Sequence, residues 1–208
     1  MPFTFRLPLG SLRTHFQIAF LILAAVVLPG CSTMYVDNGL KDVSTAEYRH
    51  PTSAQPAQLL FSFETKGAAN ARATGFLKDQ VLEVVKASDL FSSVSLDPVP
   101  GGALLSVVIN NVPVTDNAYS KGFATGLTFG LAGNVVTDGY VCTVDYSKAG
   151  GQKITKSTRH AIHTTIGAKG APANATKAKS PDEAVKTMAR QIVGNALKDL
   201  SADPQFAL

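Results

Sequence analysis

The chain has 208 residues, with 19 lysines and arginines against 15 aspartates and glutamates, and a net charge of +4. Its first 30 residues contain two arginines and no acidic residue, so the remaining 178 carry 17 basic against 15 acidic side chains. A net charge of +2 gives no support for nucleic acid as a partner, which would also need a clustered basic face, so we expect none; this length suits one domain with its own core.

The chain opens with a basic segment followed by a short apolar one. The apolar segment covers residues 16–28, and it is too short to cross a bilayer, which takes about 20 residues. A basic start, a short apolar stretch and a small residue before the cleavage point are typical of a secretory signal. The sequence therefore predicts a signal peptide over residues 1–30, cleaved between Gly30 and Cys31.

The residues at this cleavage point, Leu28-Pro29-Gly30-Cys31, resemble the lipobox of bacterial lipoproteins. That motif has an aliphatic residue three positions before the cysteine and a small residue just before it; Pro29 departs from it, because this position usually holds a small or β-branched residue. The resemblance implies acyl chains attached through Cys31, which would anchor the protein permanently in a membrane. Family members with Asp after the cysteine tend to stay in the inner membrane, so Ser32 implies the outer membrane, facing the periplasm.

The segment after the cleavage point is polar, and regular elements follow it. Residues 31–56 are rich in Ser, Thr, Asp, Asn, Gln and Pro, and they predict a flexible tether before a single domain over residues 57–208. Residues 59–63, Leu-Leu-Phe-Ser-Phe, predict a first strand. Apolar residues spaced by three and four then predict a helix over residues 68–87.

Four more strands are predicted further along the chain. Residues 90–96 alternate apolar and polar, which predicts a short half-buried strand, and the apolar run 103–112 predicts a central strand. Residues 140–146 and 153–166 predict two strands joined as a hairpin. Residues 169–179 are rich in Ala, Gly and Lys and predict an exposed loop.

A closing helix is predicted from its first residues. Ser180 is an N-cap residue, Pro181 suits the first helical position, and Asp182 and Glu183 place acids in the first turn. The order of elements predicts an α+β fold, in which a mostly antiparallel sheet of about five strands has two helices packed on one face.

This order resembles small α/β lipoproteins of Gram-negative envelopes. The resemblance is carried by Leu-Phe-Ser-Ser-Val at residues 90–94 and by the Gly-rich apolar segment before the later hairpin, and it covers residues 59–200. Some members of this group, such as lipopolysaccharide-assembly and transport-auxiliary lipoproteins, are accessory subunits of envelope machines. The resemblance therefore implies a structural or accessory module of an envelope assembly or transport system, with an envelope protein as its partner.

The apolar, Gly-rich insertion at residues 119–138 has no single period. Its glycines, spaced by four, would line one face of a helix, whereas its alternating apolar residues equally fit one side of a strand. It is either a connection that packs over the end of the sheet or an exposed flap that contacts lipid or a partner protein. If it is a flap, the candidate contact residues are Phe123, Leu127, Phe129 and Leu131.

A basic stretch lies between Asp145 and Asp182. It contains seven lysines and arginines and no acidic residue. Such a stretch could bind anionic headgroups, which leaves open a second role as a binding module for an amphipathic or anionic lipid-like ligand. Alternatively, its charges keep a solvated hairpin soluble. The candidate contact residues for the anionic ligand are Lys153, Lys156 and Arg159.

The remaining reactive residue types do not form a site. His160 and His163 are three apart on a predicted strand, so their side chains would point to opposite faces. Cys142, left without a partner if Cys31 is acylated, lies in an alternating stretch and predicts a small buried hydrophobe. We therefore expect no catalytic residue, no metal site, no cofactor and no enzymatic activity.

Overall fold

The computed structural model describes residues 32–114, 135–148, 151–166 and 172–206. Within these ranges the protein is α+β, with two α-helices and one mixed sheet of eight strands. The elements, in chain order, are β1 (Ser32–Asp37), β2 (Pro56–Thr65), β3 (Ala68–Ala69), α1 (Ala71–Ala87), β4 (Ser93–Ser95), β5 (Ala103–Pro113), β6 (Val135–Ser147), β7 (Ile154–Ile166), β8 (Ala175–Lys177) and α2 (Pro181–Ser201).

The strand order in the sheet is β3-β2-β5-β6-β7-β1-β8, with β4 beside β2. The β2–β5 and β2–β4 pairs are parallel and the other pairs are antiparallel, so the sheet is mostly antiparallel, as expected. The described sheet is nevertheless larger than the five strands predicted. The additional strands, β1, β3 and β8, are six, two and three residues long, and pairing with neighbours defines them.

The expectation of a flexible tether over residues 31–56 is wrong for its first part. Residues 32–37 form β1, which pairs with β7 on one side and with β8 on the other. Tyr48, also within the expected tether, is buried in the core. A strand held between two partners depends on hydrogen bonds to residues far away in the chain, and these leave no pattern in a short polar sequence.

One face of the sheet carries the main core, and both helices cover it. The buried apolar residues of both helices belong to one cluster with the buried residues of β2, β5 and β6. This arrangement confirms the expected placement of the two helices on one side. The helix residues buried there include Leu77, Val81 and Val85 of α1 and Met188, Ile192 and Leu197 of α2.

The helix boundaries follow local signals. The Ser180 hydroxyl accepts a hydrogen bond of 3.1 Å from the backbone N–H of Glu183, which confirms the predicted N-cap of α2. Helix α1 begins three residues later than predicted, because the preceding chain turns back to form β3. That turn consists of Lys66 and Gly67, both with positive φ (55° and 78°), as tight hairpin turns require.

Two further boundaries differ from those predicted. Residues 135–138, assigned to the insertion at 119–138, belong to β6, where they pair with β7. Residues 175–177, assigned to the exposed loop 169–179, form β8 against β1. In both places the pairing extends beyond the stretch that has a clear strand pattern.

Candidate functional site

One end of the sheet lies next to the predicted lipidation residue. Ser32, which follows Cys31 in the chain, is the first residue of β1 and pairs with Ile166. Thr165 pairs with both Thr33 and Val135, so the start of β6 lies at the same end of the sheet. We call this the anchor end, defined by Ser32, Val135 and Ile166. The chain leaves the sheet after β5 and returns with β6 at this end, so the insertion is attached there.

The described surface at the anchor end is partly apolar. Val136 is 52% exposed, although it lies in a strand, and the half-buried Val114 packs near Ala161. Asp138 is half-buried here, and burial raises the pKa of its carboxyl while a hydrogen bond from the Asn111 side chain opposes that shift. This end of the sheet therefore combines exposed hydrophobic surface with a carboxyl group, that of Asp138, which is partly shielded from water.

A buried polar network holds β1 in place on the face opposite the helices. The Nε2 atom of His163 lies 3.3 Å from Oδ2 of Asp37, and its Nδ1 atom lies 2.9 Å from the Thr137 hydroxyl. The backbone N–H of Gly39 donates to the other Asp37 oxygen at 2.6 Å. Burial alone would raise the pKa of Asp37, but the bonds from His163 and Gly39 outweigh it and lower that pKa. The network thus connects β1 to β6 and β7.

The three groups of this network are those that a nucleophilic triad uses: a hydroxyl, an imidazole and a carboxylate. A triad also needs access for the substrate and donors for an oxyanion. The side chains of His163 and Asp37 have no exposed surface, and His163 lies between Thr137 and β1. This geometry supports a structural role, in which the network fixes the strand that follows Cys31.

His160 lies on the opposite face, as its spacing from His163 predicts. Its Nε2 atom is 2.8 Å from the side-chain oxygen of Gln191 on α2. Burial lowers the pKa of His160, while the hydrogen bond to Gln191 opposes that shift. The prediction that the two imidazoles do not converge on one point is confirmed. Across the residues that the structure describes, no group of three or more His, Cys, Asp or Glu side chains could hold a metal ion.

The three candidate anion contacts are not brought together. Lys153 forms an ion pair of 3.1 Å with Asp145, and Lys156 forms one of 2.7 Å with Asp203 beyond the end of α2. Arg159 is exposed on the other face of β7, because residues an odd number apart on a strand point in opposite directions. Two of the three charges thus already face carboxylates, and the third points away from the helix side.

Cys142 is fully buried in β6, on the face that the helices cover. Burial raises the pKa of its thiol to about 12, so the reactive thiolate is disfavoured at neutral pH. The prediction of a small buried hydrophobe at this position is confirmed.

Several candidate residues lie outside the described parts of the chain. They include Gly30 and Cys31 at the cleavage point and all four candidate contacts of the insertion, Phe123, Leu127, Phe129 and Leu131. Neither of the described helices is sufficiently long and apolar to pass through a bilayer.

Comparison with known proteins gives structural neighbours only. No family model matches the chain, and no curated protein matches it. A dodecamer of PelC from Paraburkholderia phytofirmans aligns with a TM-score of 0.36 and 10% identity, covering 83% of this chain and 98% of that one.

Two further structures have similar scores. A minor lipoprotein from Acinetobacter baumannii aligns at TM-score 0.35 and 12% identity, over 74% of this chain and 93% of its own. The rare lipoprotein B from Shewanella oneidensis aligns at 0.34 and 11%, over 68% of this chain and 93% of its own. Both neighbours are named lipoproteins, but likeness at this level carries no argument about the role of this chain.

Proposed function

We propose that this chain is a lipid-anchored lipoprotein of the outer membrane, facing the periplasm. Its domain would serve as a non-catalytic accessory module of an envelope assembly or transport system. The observation that carries the proposal is the position of Cys31, which follows Leu28-Pro29-Gly30 and directly precedes the first strand of the sheet.

This position has a geometric consequence for the domain. Consecutive Cα atoms are about 3.8 Å apart, so acyl chains on Cys31 would hold the anchor end of the sheet at the lipid surface. The insertion is attached to the sheet at the same end. Its apolar side chains, Leu127 among them, would then be held near lipid or a membrane-bound partner at high effective concentration.

Lipidation is tested by feeding cells an alkyne-bearing palmitate and measuring its incorporation into the full chain. We expect the natural chain to be labelled and Cys31→Ser to be unlabelled. Cys142→Ser is the matched control, because it removes the other cysteine of the chain, and it should keep the label. Equal labelling of the natural chain and Cys31→Ser would contradict the anchor.

The membrane is tested by density fractionation of cell envelopes. The natural chain should sediment with the outer membrane, and Ser32→Asp should move to the inner membrane, since Asp directly after the cysteine favours retention there. Ser32 is exposed, so the sheet should tolerate this change. A natural chain found in inner-membrane fractions would show that the outer-membrane assignment is wrong.

The accessory role is tested by copurification from detergent-solubilised envelopes. Leu127→Asp should lose a protein partner that the natural chain retains. Leu104→Asp is the matched control, because Leu104 is an exposed leucine at the start of β5, the end of that strand away from the insertion. If both variants retain the same partners as the natural chain, docking through the insertion is wrong.

A further inference from the structure

A cleft opens between the first turns of α1 and α2, above β2 and β6. Its volume is about 440 Å³, which lies within the range of about 300–1,000 Å³ that small-molecule sites occupy. The lining is largely apolar and comes from four elements. Its apolar side chains include Phe63, Phe76, Leu77 and Val185.

Tyr140 supplies an unpaired donor to this cleft. The residue is only 7% exposed, and its ring packs edge-on against Phe63 with centroids 6.4 Å apart. Within the described ranges, no group hydrogen-bonds its hydroxyl, yet this hydroxyl is not among the fully enclosed polar atoms. The hydroxyl therefore keeps some access to the cleft that Tyr140 lines, where it can donate a hydrogen bond to a bound molecule.

The mouth of the cleft is positively charged. Arg72 is exposed on the first turn of α1 and has no ion pair with any residue that the structure describes. Lys186 lies at the same rim, with its Nζ atom 5.2 Å from the ring centroid of Phe76, which is itself 42% exposed. Among the lining residues described, the one carboxylate is Asp182, in the first turn of α2, where the helix N–H groups offset its charge.

We propose that this cleft binds a single-chain anionic amphipath, a fatty acid in chemical class. The acyl chain would lie against Phe63, Phe76 and Leu77, and the carboxylate would pair with Arg72, with the Tyr140 hydroxyl as a second donor. A charge-assisted bond to guanidinium gives selectivity for the acid, and the apolar wall supplies most of the burial. This site uses no residue of the anchor end, so it does not depend on the function proposed above.

The test uses a photoreactive, alkyne-bearing hexadecanoic acid and the corresponding alcohol. Each probe is added to a lysate that contains the full chain, the sample is irradiated, and the label on the purified chain is quantified and mapped. We expect the acid to label peptides that contain residues 63–77 or 182–185. Arg72→Gln should lower labelling by the acid about tenfold, the effect of losing one charge-assisted bond, and leave labelling by the alcohol unchanged.

A second pair of variants tests the apolar and polar walls separately. Val185→Trp should fill the cleft and remove labelling by both probes. Tyr140→Phe keeps the ring and removes the donor, so it should lower labelling by the acid several-fold and labelling by the alcohol less, because a carboxylate accepts the stronger bond. If Val185→Trp does not fold, as judged by its thermal transition, Arg72→Gln and Tyr140→Phe decide the outcome.

Three controls separate this site from other sources of label. Arg159→Gln changes an exposed arginine on the opposite side of the sheet and should leave labelling unchanged. Cys31→Ser should also leave labelling by the acid unchanged, and this result separates the cleft from the lipidation site. Samples that are not irradiated measure the label that is attached without photochemistry. The proposal is overturned if Arg72→Gln reduces acid and alcohol labelling equally, or if labelling persists in a folded Val185→Trp.

Discussion

The two faces of the sheet are stabilised in different ways, and β7 contributes to both. On the helix-covered face, the ring of His160 bonds to the Gln191 side chain and accepts from the backbone N–H of Ala161, within a continuous apolar core. Three residues later, His163 points to the other face and joins a buried polar network with Asp37 and Thr137. Packing on the first face stabilises the domain as a whole, whereas the network on the second face fixes one strand, β1, to β6 and β7.

Exposed surface also differs between the faces. Away from the polar network, the face opposite the helices leaves Leu60 and Leu104 of β2 and β5 exposed. The neighbouring Leu105 of β5 is completely buried under the helices. Adjacent leucines on one strand therefore have very different contributions to stability, and substitutions at them measure the difference between the faces.

The largest expected effect is on the helix-covered face. Leu105→Ala should lower the free energy of unfolding by about 3–4 kcal/mol, because it removes buried methyl groups and leaves a cavity. Leu104→Ala should cost less than about 1 kcal/mol, since that side chain is 38% exposed. Urea denaturation of both variants checks this, and equal losses would contradict the assignment of the two faces.

A smaller but substantial effect is expected in the polar network. Asp37→Ala should cost about 2–3 kcal/mol, because it leaves the donors of His163 and Gly39 without this acceptor. Asp42→Ala provides a matched control: Asp42 also pairs with a cation, Arg190, but at an exposed site, where a pair contributes about 0–1 kcal/mol. Similar losses of stability in the two variants would mean that the network does not hold β1 in place.

The two faces should also respond to acid at different pH values. Folding lowers the pKa of His160. The contribution of this residue to the free energy of unfolding is therefore complete above about pH 6.5 and declines as the pH falls below that value. The pKa of Asp37 is lowered too, and its contribution is lost only as the pH falls below about 4.

Variants at these two positions separate the pH windows. We expect His160→Gln to weaken the fall in the free energy of unfolding that begins as the pH drops below about 6.5. Asp37→Asn should weaken the further fall that begins below about pH 4. Each variant is the control for the other, because it should keep the dependence that the other loses. Urea midpoints measured from pH 8 to pH 3 provide the test, and a natural chain whose stability rises on acidification would refute both expectations.

The smallest effect is expected at the edge of the core. Ser180→Ala removes the N-cap bond of α2 and should cost about 1 kcal/mol. Ser157→Ala, at an exposed position of β7, should change stability by less than about 0.5 kcal/mol. Thermal unfolding of both variants measures the contribution of the cap, and a neutral Ser180→Ala would show that packing alone sets the start of the helix.

The elements predicted from sequence are those whose signals are local. Strands β2 and β5 have continuous or alternating apolar residues, and α2 has its cap, proline and acids in consecutive positions. Strand β1 was missed because Ser-Thr-Met-Tyr-Val-Asp has a weak pattern, and its order comes from distant partners such as His163. The contrast shows that sequence patterns report local preference and burial better than they report pairing.

The sites follow the same rule. The spacing of His160 and His163 was sufficient to place them on opposite faces, because strand alternation is local. The cleft was not predicted, since Arg72, Tyr140 and Asp182 are on three elements far apart in the chain. Likewise, the partners of Lys153 and Lys156 are carboxylates that only folding brings near. A run of basic residues in a sequence does not show which charges folding has already paired.

No linker residue separates Cys31 from β1, which begins at Ser32, and this limits how far a lipid-anchored domain could move from the membrane. A flexible tether of 26 residues would have a root-mean-square length of about 28 Å and would let the domain sample a volume above the membrane. With β1 beginning at Ser32, a lipidated form would lose that freedom, and the 13-residue strand β7, which ends at the anchor end, is about 43 Å long at a rise of about 3.3 Å per residue. A lipidated form would therefore meet its partners by lateral diffusion within one thin layer next to the bilayer, rather than by searching across the periplasm.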